Sequence, residues 1–173
     1  PETAGLSVIT TLDEVAQREA TYGLWHHLGD VGTQLEGLSI DNAILEDKAK
    51  PSFKGTREIV AHKFYSGRVM GKGAGSVFLD LGGAPCTIDE EAIKRAADII
   101  ARGAKSNKRA KASKADRQAI VDRLEPDTVV RVSVRQVGQG GPECDIELRP
   151  KLQGGVAVVQ NGLLRAMVGG SDN

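Results

Sequence analysis

Between residues 58 and 150 the sequence consists mainly of short β-branched runs separated by glycine-rich turns. Runs of this kind, bounded by turn residues, are typical of strands. The first run is bent near Ser66-Gly67, and the last two are joined by the glycine-rich loop 138–142. The five predicted strands cover residues 59–70, 76–81, 84–88, 128–136 and 144–149.

Two helices are predicted between the third and fourth strands. The first begins at Asp89 and ends near Arg102-Gly103, with a cation in its last turn and glycine after it. The second begins at Ser113, whose spacing to Asp116 suits a helix start, and stops before Pro126. Short strands with helices after the third are the order of an OB-type barrel. The predicted fold class is therefore α+β, mostly β: a five-stranded OB-like barrel with helices after the third strand.

The amino-terminal end lies outside this predicted barrel. Residues Leu6–Thr11 alternate in part and favour a strand. A helix over residues 13–28 follows, and Thr11 and Glu14 have the spacing of a capping box. We expect this helix to end near Gly29.

The carboxy-terminal end is predicted to form a hairpin. Asn161-Gly162 stands between the apolar runs 155–159 and 163–168, and Asn-Gly in this position is a strong hairpin signal. An isolated hairpin is marginal in water, so we expect Leu6–Thr11 to pair with it and the helix to cover one face. The two chain ends would then form one strand-helix and hairpin unit, with an exposed apolar edge through which the chain can dimerise.

These elements predict four segments. The region between residues 30 and 54 has weak periodicity and reads as an irregular connection with one short strand around Asn42 to Leu45. The segments are a strand-helix (1–33), the irregular connection (34–57), the OB-like domain (58–150) and the terminal hairpin (151–173).

Composition limits the classes of partner. The chain is 40% hydrophobic but only 3% aromatic, so its core must be built mainly from Val, Ile, Leu and Ala. Its 23 cationic and 23 acidic residues give zero net charge, which argues against a dedicated nucleic-acid binder. No run approaches the roughly 20 apolar residues of a membrane span.

One stretch is locally basic. It contains six cations and no acid, and it reads either as a docking patch or as a solvated loop. The candidate docking residues are Arg102, Lys105, Lys108, Arg109, Lys111 and Lys114.

Three segments resemble the class A penicillin-binding proteins of the 1A family. GLSVITTLD at residues 5–13 resembles the strand-helix that follows the family's glycosyltransferase domain. LEPDTVVRV at 124–132 is similar to the start of a strand in its OB-like insertion. GGVAVVQNGLLRAMVGG at 154–170 looks like the hairpin that opens its transpeptidase domain. The turn Gln160-Asn161-Gly162 departs from the family's usual Pro or Gly turn after an acidic residue.

The resemblance implies a function without catalysis. This chain would be the linker and OB-like docking or spacer module of a bifunctional peptidoglycan synthase, which polymerises glycan, cross-links peptides and is a penicillin target. Its partners would be the glycosyltransferase and transpeptidase domains of the parent chain and an envelope regulatory protein. The resemblance places the module in the periplasm, with the parent anchored in the inner membrane by a segment outside this chain. We expect no cofactor, no nucleic acid and no membrane contact by this piece.

The catalytic motifs of that family are absent from the sequence. No serine has a lysine three residues on, and Lys-Thr-Gly is missing, so the family's activated serine is not present. Ser171-Asp172-Asn173 matches the third motif but stands alone. Glu46-Asp47 lacks the aromatic residue of the glycosyltransferase acid motif. His26, His27 and His62 have no metal-ligand spacing.

The two cysteines are Cys86, on the third predicted strand, and Cys144, at the start of the fifth. Their spacing leaves both two free thiols and a disulfide open. An OB-type barrel can bring these strands together, and the periplasm implied by the resemblance permits oxidation. We hypothesise a disulfide, which requires Cα atoms within about 7 Å.

An alternative function is single-stranded nucleic-acid binding by an S1-type OB module. Residues 67–69 with 76–83 look like the first hairpin of an S1 barrel. Such barrels stack bases on exposed aromatic side chains, for which Phe64, Tyr65 and Phe78 are available. This interpretation leaves both ends of the chain unexplained.

Overall fold

The computed structural model describes residues 9–44, 46, 59–73, 75–149 and 151–170. Within them lie four helices and seven strands. In chain order these are α1 (Glu14–Glu36), α2 (Ile40–Ala43), β1 (Phe64–Gly73), β2 (Ser76–Asp80), β3 (Pro85–Ile88), α3 (Glu90–Ala104), α4 (Lys114–Arg123), β4 (Val129–Gly138), β5 (Gly141–Ile146), β6 (Gly154–Gln160) and β7 (Leu163–Gly170).

The first five strands form a closed barrel in the order β1-β2-β3-β5-β4, and β4 pairs back with β1. All neighbours are antiparallel except β3 and β5, which are parallel. Helices α3 and α4 follow the third strand. This arrangement is consistent with an OB-like fold, so the predicted fold class is confirmed.

The barrel core is aliphatic, as the low aromatic content predicts. Alternate residues of the strands point inward, among them Val77 and Leu79 on β2 and Val130, Val132 and Val134 on β4, all buried. Helix α3 packs on this core through its Ala and Ile face and is capped by Asp89, whose side chain accepts from the Ala92 N–H.

Strands β3 and β5 have the fewest aligned residue pairs of any neighbouring strands in the barrel. One residue pair, Thr87 with Glu143, is aligned there. The adjacent residues Cys86 and Cys144 form a disulfide, with Cα atoms 6.1 Å apart. The covalent bond therefore closes the barrel where few backbone hydrogen bonds join the strands.

The last two strands form the predicted hairpin, and Asn161 and Gly162 both take positive φ at its turn. Strand β7 of this hairpin contacts the start of α1. The Asp13 N–H donates to the Arg165 carbonyl at 2.8 Å, and Gln17 exchanges two 3.0 Å hydrogen bonds with the Met167 backbone. Helix α1 and the hairpin thus form one terminal unit.

Helix α1 differs from its prediction at both ends. Its N-cap is Asp13, whose side chain accepts from the Ala16 N–H, so the Thr11–Glu14 capping box was wrong. The helix continues past Gly29 to Glu36, because Gly29 serves packing: a Cβ there would lie 2.5 Å from the Leu148 carbonyl oxygen. The terminating glycine is Gly37, at φ 60°.

Part of the predicted irregular connection is helical. Residues 30–36 belong to α1 and residues 40–43 to α2, so the strand expected around Asn42 to Leu45 was wrong. Two isolated β-bridges join the connection to the barrel side, from Ile44 to Leu148 and from Glu46 to Val130. Because Ala43 and Ile44 are buried against the barrel core, this part behaves as a packed connection. Residues 45 and 47–58 lie outside the described residues.

Two strand predictions also need correction. Residues 59–63 are not in a strand, since His62 takes φ 62° in a turn and β1 begins only at Phe64. Ile9 to Thr11 form no strand, although the Thr11 hydroxyl donates to the Leu164 carbonyl at 2.7 Å. A polar contact therefore replaces the expected pairing there, and Leu6 to Val8 lie outside the described residues.

Candidate functional site

A buried polar network joins the terminal unit to the barrel. Tyr22, His26 and Asp30 are four residues apart and share one face of α1. The alternating pair Asp145 and Glu147, at the end of β5, faces them. Asp145 is 2% and Glu147 4% exposed, so both carboxyl groups need partners.

Glu147 is the centre of the network. Its Oε1 lies 2.9 Å from His26 Nδ1 and accepts a 2.6 Å hydrogen bond from the Ser133 hydroxyl on β4. The other ring nitrogen of His26 lies 3.9 Å from an Asp145 oxygen. The imidazole of α1 therefore stands between two buried carboxyl groups of the barrel.

Two arginines compensate the remaining charge. Arg95 on α3 pairs with Asp30 of α1 and donates to the Ile146 carbonyl at 3.2 Å. Arg135 on β4 contacts Asp89 and lies 3.0 Å from both Glu143 and Asp145. The network thus connects α1 and α3 to β4 and β5.

Burial and charge shift the titration of several members. Burial raises the pKa of Asp145, against the opposing effect of Arg95, Arg135 and His26. Burial likewise raises the pKa of Asp30 against Arg95. The pKa of Tyr22 is raised by burial and by the neighbouring carboxylates Asp145 and Glu147. These shifts identify a desolvated interface.

Aromatic rings extend the interface. Tyr22 is stacked between His26, at a centroid distance of 5.0 Å, and His62, at 4.4 Å. Trp25 packs against Phe64 at 5.6 Å. Ser133 is fully buried and therefore inaccessible to a substrate in this conformation. The chemistry of the network is accordingly that of a fixed joint.

Two grooves flank α1. The α1–barrel groove has a volume of about 610 Å³ and is lined by Gln17, Arg18 and Trp25 of α1, Lys63 and Phe64 at the start of β1, and Arg131 of β4. The α1–hairpin groove, of about 510 Å³, is lined by Ala16, Ala20 and Gly23 of α1 and by Val156 and Val158 of β6. The second groove is apolar, and Val156 and Val158 remain partly exposed in it.

The predicted docking residues lie together on the α3–α4 connection, away from both grooves. Arg102 is in the last turn of α3 and half-buried, Lys114 is the first residue of α4, and the other four are exposed. The connection is anchored by the buried Ala110 and by the Ala112 N–H, which donates to Asp98 at 2.7 Å. The part of the chain that the structure describes offers these cations no ion-pair partner. The docking role stays a prediction.

The polar network was not predicted from the sequence. His26 and His62 were weighed there only as metal ligands. Within residues 9–44, 46, 59–73, 75–149 and 151–170, no cluster of three or more His, Cys, Asp or Glu could hold a metal ion. A signal was present: Asp145 and Glu147 alternate with apolar residues inside a predicted strand. Two acids on one face of such a strand indicate buried charge that needs a cationic neighbour.

No family model matches the chain, and no curated protein matches it. Among the helices that the structure describes, none combines the length and apolarity needed to cross a membrane.

Proposed function

We propose that this chain is the non-catalytic spacer and docking module of a class A penicillin-binding protein, comprising the linker and the inserted OB-like domain between the glycosyltransferase and transpeptidase domains. The observation that carries the proposal is the insertion of the barrel into the terminal unit. The chain leaves that unit after Glu36 and returns at Lys151, and these two side chains form an ion pair at 2.5 Å. Because departure and return are adjacent, the barrel can project from an adjoining domain without interrupting it.

The polar network supports a rigid spacer. His26, Asp30 and their partners hold α1 in one orientation on the barrel, and the close approach of Gly29 to Leu148 fixes the same contact through the backbone. A spacer with a fixed joint sets the relative orientation of the domains attached to its ends. The disulfide is compatible with an oxidising compartment, which supports the periplasmic or extracytoplasmic location proposed here.

The docking part of the proposal is assigned to the α3–α4 connection. Its exposed cations favour an acidic partner surface, for which an envelope regulatory protein is the proposed candidate. Charge reversal of Lys105, Lys108 and Lys111 should lower the affinity of such a complex. It should also make the remaining affinity less sensitive to the salt concentration.

The test uses the full-length protein encoded around this chain. The parent is expected to be acylated by a fluorescent penicillin and to polymerise glycan. A variant in which residues 38–150 are replaced by a short Gly/Ser linker between Gly37 and Lys151 should still be acylated, because the linker only has to join neighbouring points. A parent that takes no penicillin would refute the family assignment.

The isolated chain provides the matched control. It should take no fluorescent penicillin and polymerise no glycan, because its sequence lacks the Ser-x-x-Lys serine and the glycosyltransferase acid. Labelling of this chain that disappears on replacement of one serine would overturn the proposal.

One observation favours the alternative S1-type function: Phe78 on β2 is 46% exposed, and its ring would meet a Cβ placed at Gly73. The other two candidate aromatics are engaged, since Phe64 packs against Trp25 and the Tyr65 hydroxyl accepts from the Val60 N–H. A single exposed ring offers little stacking surface. Filter binding with single-stranded RNA should therefore give no specific retention, and retention that Phe78→Ala abolishes would favour the alternative.

A further inference from the structure

The α1–barrel groove has the dimensions of a ligand site. Its volume of about 610 Å³ lies within the range of roughly 300–1,000 Å³ found for small-molecule pockets. Along α1 it extends from Glu14 to Trp25, which is about 17 Å at a rise of roughly 1.5 Å per residue. An extended peptide of about five residues has the same length at roughly 3.3 Å per residue.

The lining combines cations with aromatic surface. Arg18, Lys63 and Arg131 supply positive charge, while Trp25 and Phe64 supply apolar area. The Arg131 guanidinium lies 5.9 Å from the centre of the Phe64 ring. Cations beside aromatic faces favour an anionic ligand that also carries apolar groups.

Two of these cations are available for such a ligand. Among the described residues, the guanidinium of Arg18 forms an ion pair with its neighbour Glu19 alone, at a long 3.4 Å. Lys63 is exposed, and among the residues that the structure describes no acid pairs with its ammonium group. The acids at the same groove are less available, because Asp13 is engaged as the N-cap of α1. Glu14 leaves one acid at the amino-terminal end of the groove.

The half-buried Trp25 indole supplies an independent observation. Its Nε1 atom is excluded from solvent and has no hydrogen-bond partner among the described residues. A buried N–H without an acceptor is unfavourable.

We infer that the α1–barrel groove binds a short, extended acidic peptide. Arg18 and Lys63 bind the carboxylates, and Trp25 with Phe64 contacts the apolar side chains. This site is separate from the α3–α4 connection and does not depend on the function proposed above.

The protein contains its own reporter, because Trp25 is the only tryptophan in the sequence. Its emission can be followed while acetyl-Ala-Glu-Ala-Ala with a free carboxyl terminus is added to the intact chain. The neutral peptide acetyl-Ala-Gln-Ala-Ala-amide is the matched ligand control. The acidic peptide should give a saturable change that weakens as salt is added, and the neutral peptide should bind at least about tenfold more weakly.

Charge-reversal variants localise the site. Arg18→Glu and Lys63→Glu should each weaken the acidic peptide by about tenfold or more, whereas Lys94→Glu, an equal charge change on the exposed surface of α3, should leave binding unchanged. Circular dichroism melts of the three variants establish that each is folded, and peptide-induced NMR shifts repeat the titration for any variant with altered emission.

Four results would overturn the inference. They are equal affinity for the acidic and neutral peptides, an equal loss in Lys94→Glu, tighter binding of a nucleoside monophosphate than of the acidic peptide, and no saturable change up to about 10 mM peptide.

Discussion

Reduction of the disulfide between Cys86 and Cys144 should destabilise the barrel more than any single surface change. The bond links residues 58 positions apart, on the two strands that share a single aligned residue pair. When it is broken, the unfolded chain gains the freedom of a long loop. The folded barrel also loses the covalent link between β3 and β5, the two strands with the fewest aligned residue pairs.

The loop length sets the magnitude. In the chain-entropy treatment, closing a loop of 58 residues removes about 14 cal/mol/K from the unfolded chain, or about 4 kcal/mol at 25 °C. Measured disulfide contributions of roughly 2–4 kcal/mol are common, so we expect a loss within that interval.

Urea unfolding of the oxidised and reduced protein measures this loss. A Cys86→Ala, Cys144→Ala double variant, unfolded with and without reductant, controls for effects of the reductant itself. Amide exchange should show that the β3–β5 pair opens first on reduction, because few backbone bonds join these strands. A loss below about 1 kcal/mol would refute the loop-closure reasoning, and two titratable thiols in the unfolded, non-reduced protein would refute the bond itself.

Three further predictions concern single residues. Gly29→Ala should destabilise the protein by about 1–3 kcal/mol in urea unfolding, because its Cβ would lie 2.5 Å from the Leu148 carbonyl oxygen. The control Gly23→Ala places its Cβ within 4 Å of no atom and should stabilise the protein by up to about 1 kcal/mol. Equal effects of the two substitutions would contradict this packing argument. Ser113→Ala should cost about 1 kcal/mol by the same measurement, since Ser113 and Asp116 form a capping box, and an unchanged midpoint would show that the cap is dispensable. Burial raises the pKa of Asp145, so its contribution to stability is present below about pH 4 and is lost as the pH rises through the raised pKa. The wild type should therefore lose stability relative to Asp145→Asn as the pH rises above about 4, and a pH-independent difference would argue against that shift.

The barrel was predictable because each of its elements carries a local signal. Asp89 and Ser113 are helix caps in the structure as in the sequence, and Asn161-Gly162 makes the expected hairpin turn. The end of α1 was not predictable, because the sequence does not distinguish a glycine that ends a helix from one, such as Gly29, that permits close packing. Only the approach of Leu148, 119 positions later in the chain, distinguishes the two roles.

The joint between α1 and the barrel was less visible for a related reason. His26, Asp30 and Glu147 are ordinary polar residues in the sequence, and their pairing depends on how α1 lies across β4 and β5. The two grooves depend on the same placement. The alternation of Asp145 and Glu147 indicates buried charge, but no single segment shows which residues of α1 pair with it.

The contact between α1 and the barrel is polar, although an apolar contact would suffice for stability. The polar pairs restrict where α1 can lie on the barrel. A buried ion pair is often no more stabilising than a well-packed apolar pair, but loss of one partner leaves an uncompensated charge. His26 and Ser133 both contact Glu147, and Asp30 and the Ile146 carbonyl both contact Arg95. A shift of α1 by one residue would therefore leave several buried polar groups without a partner. The network therefore selects one register of α1 on the barrel, which is the property required of a spacer that sets the orientation between two attached domains.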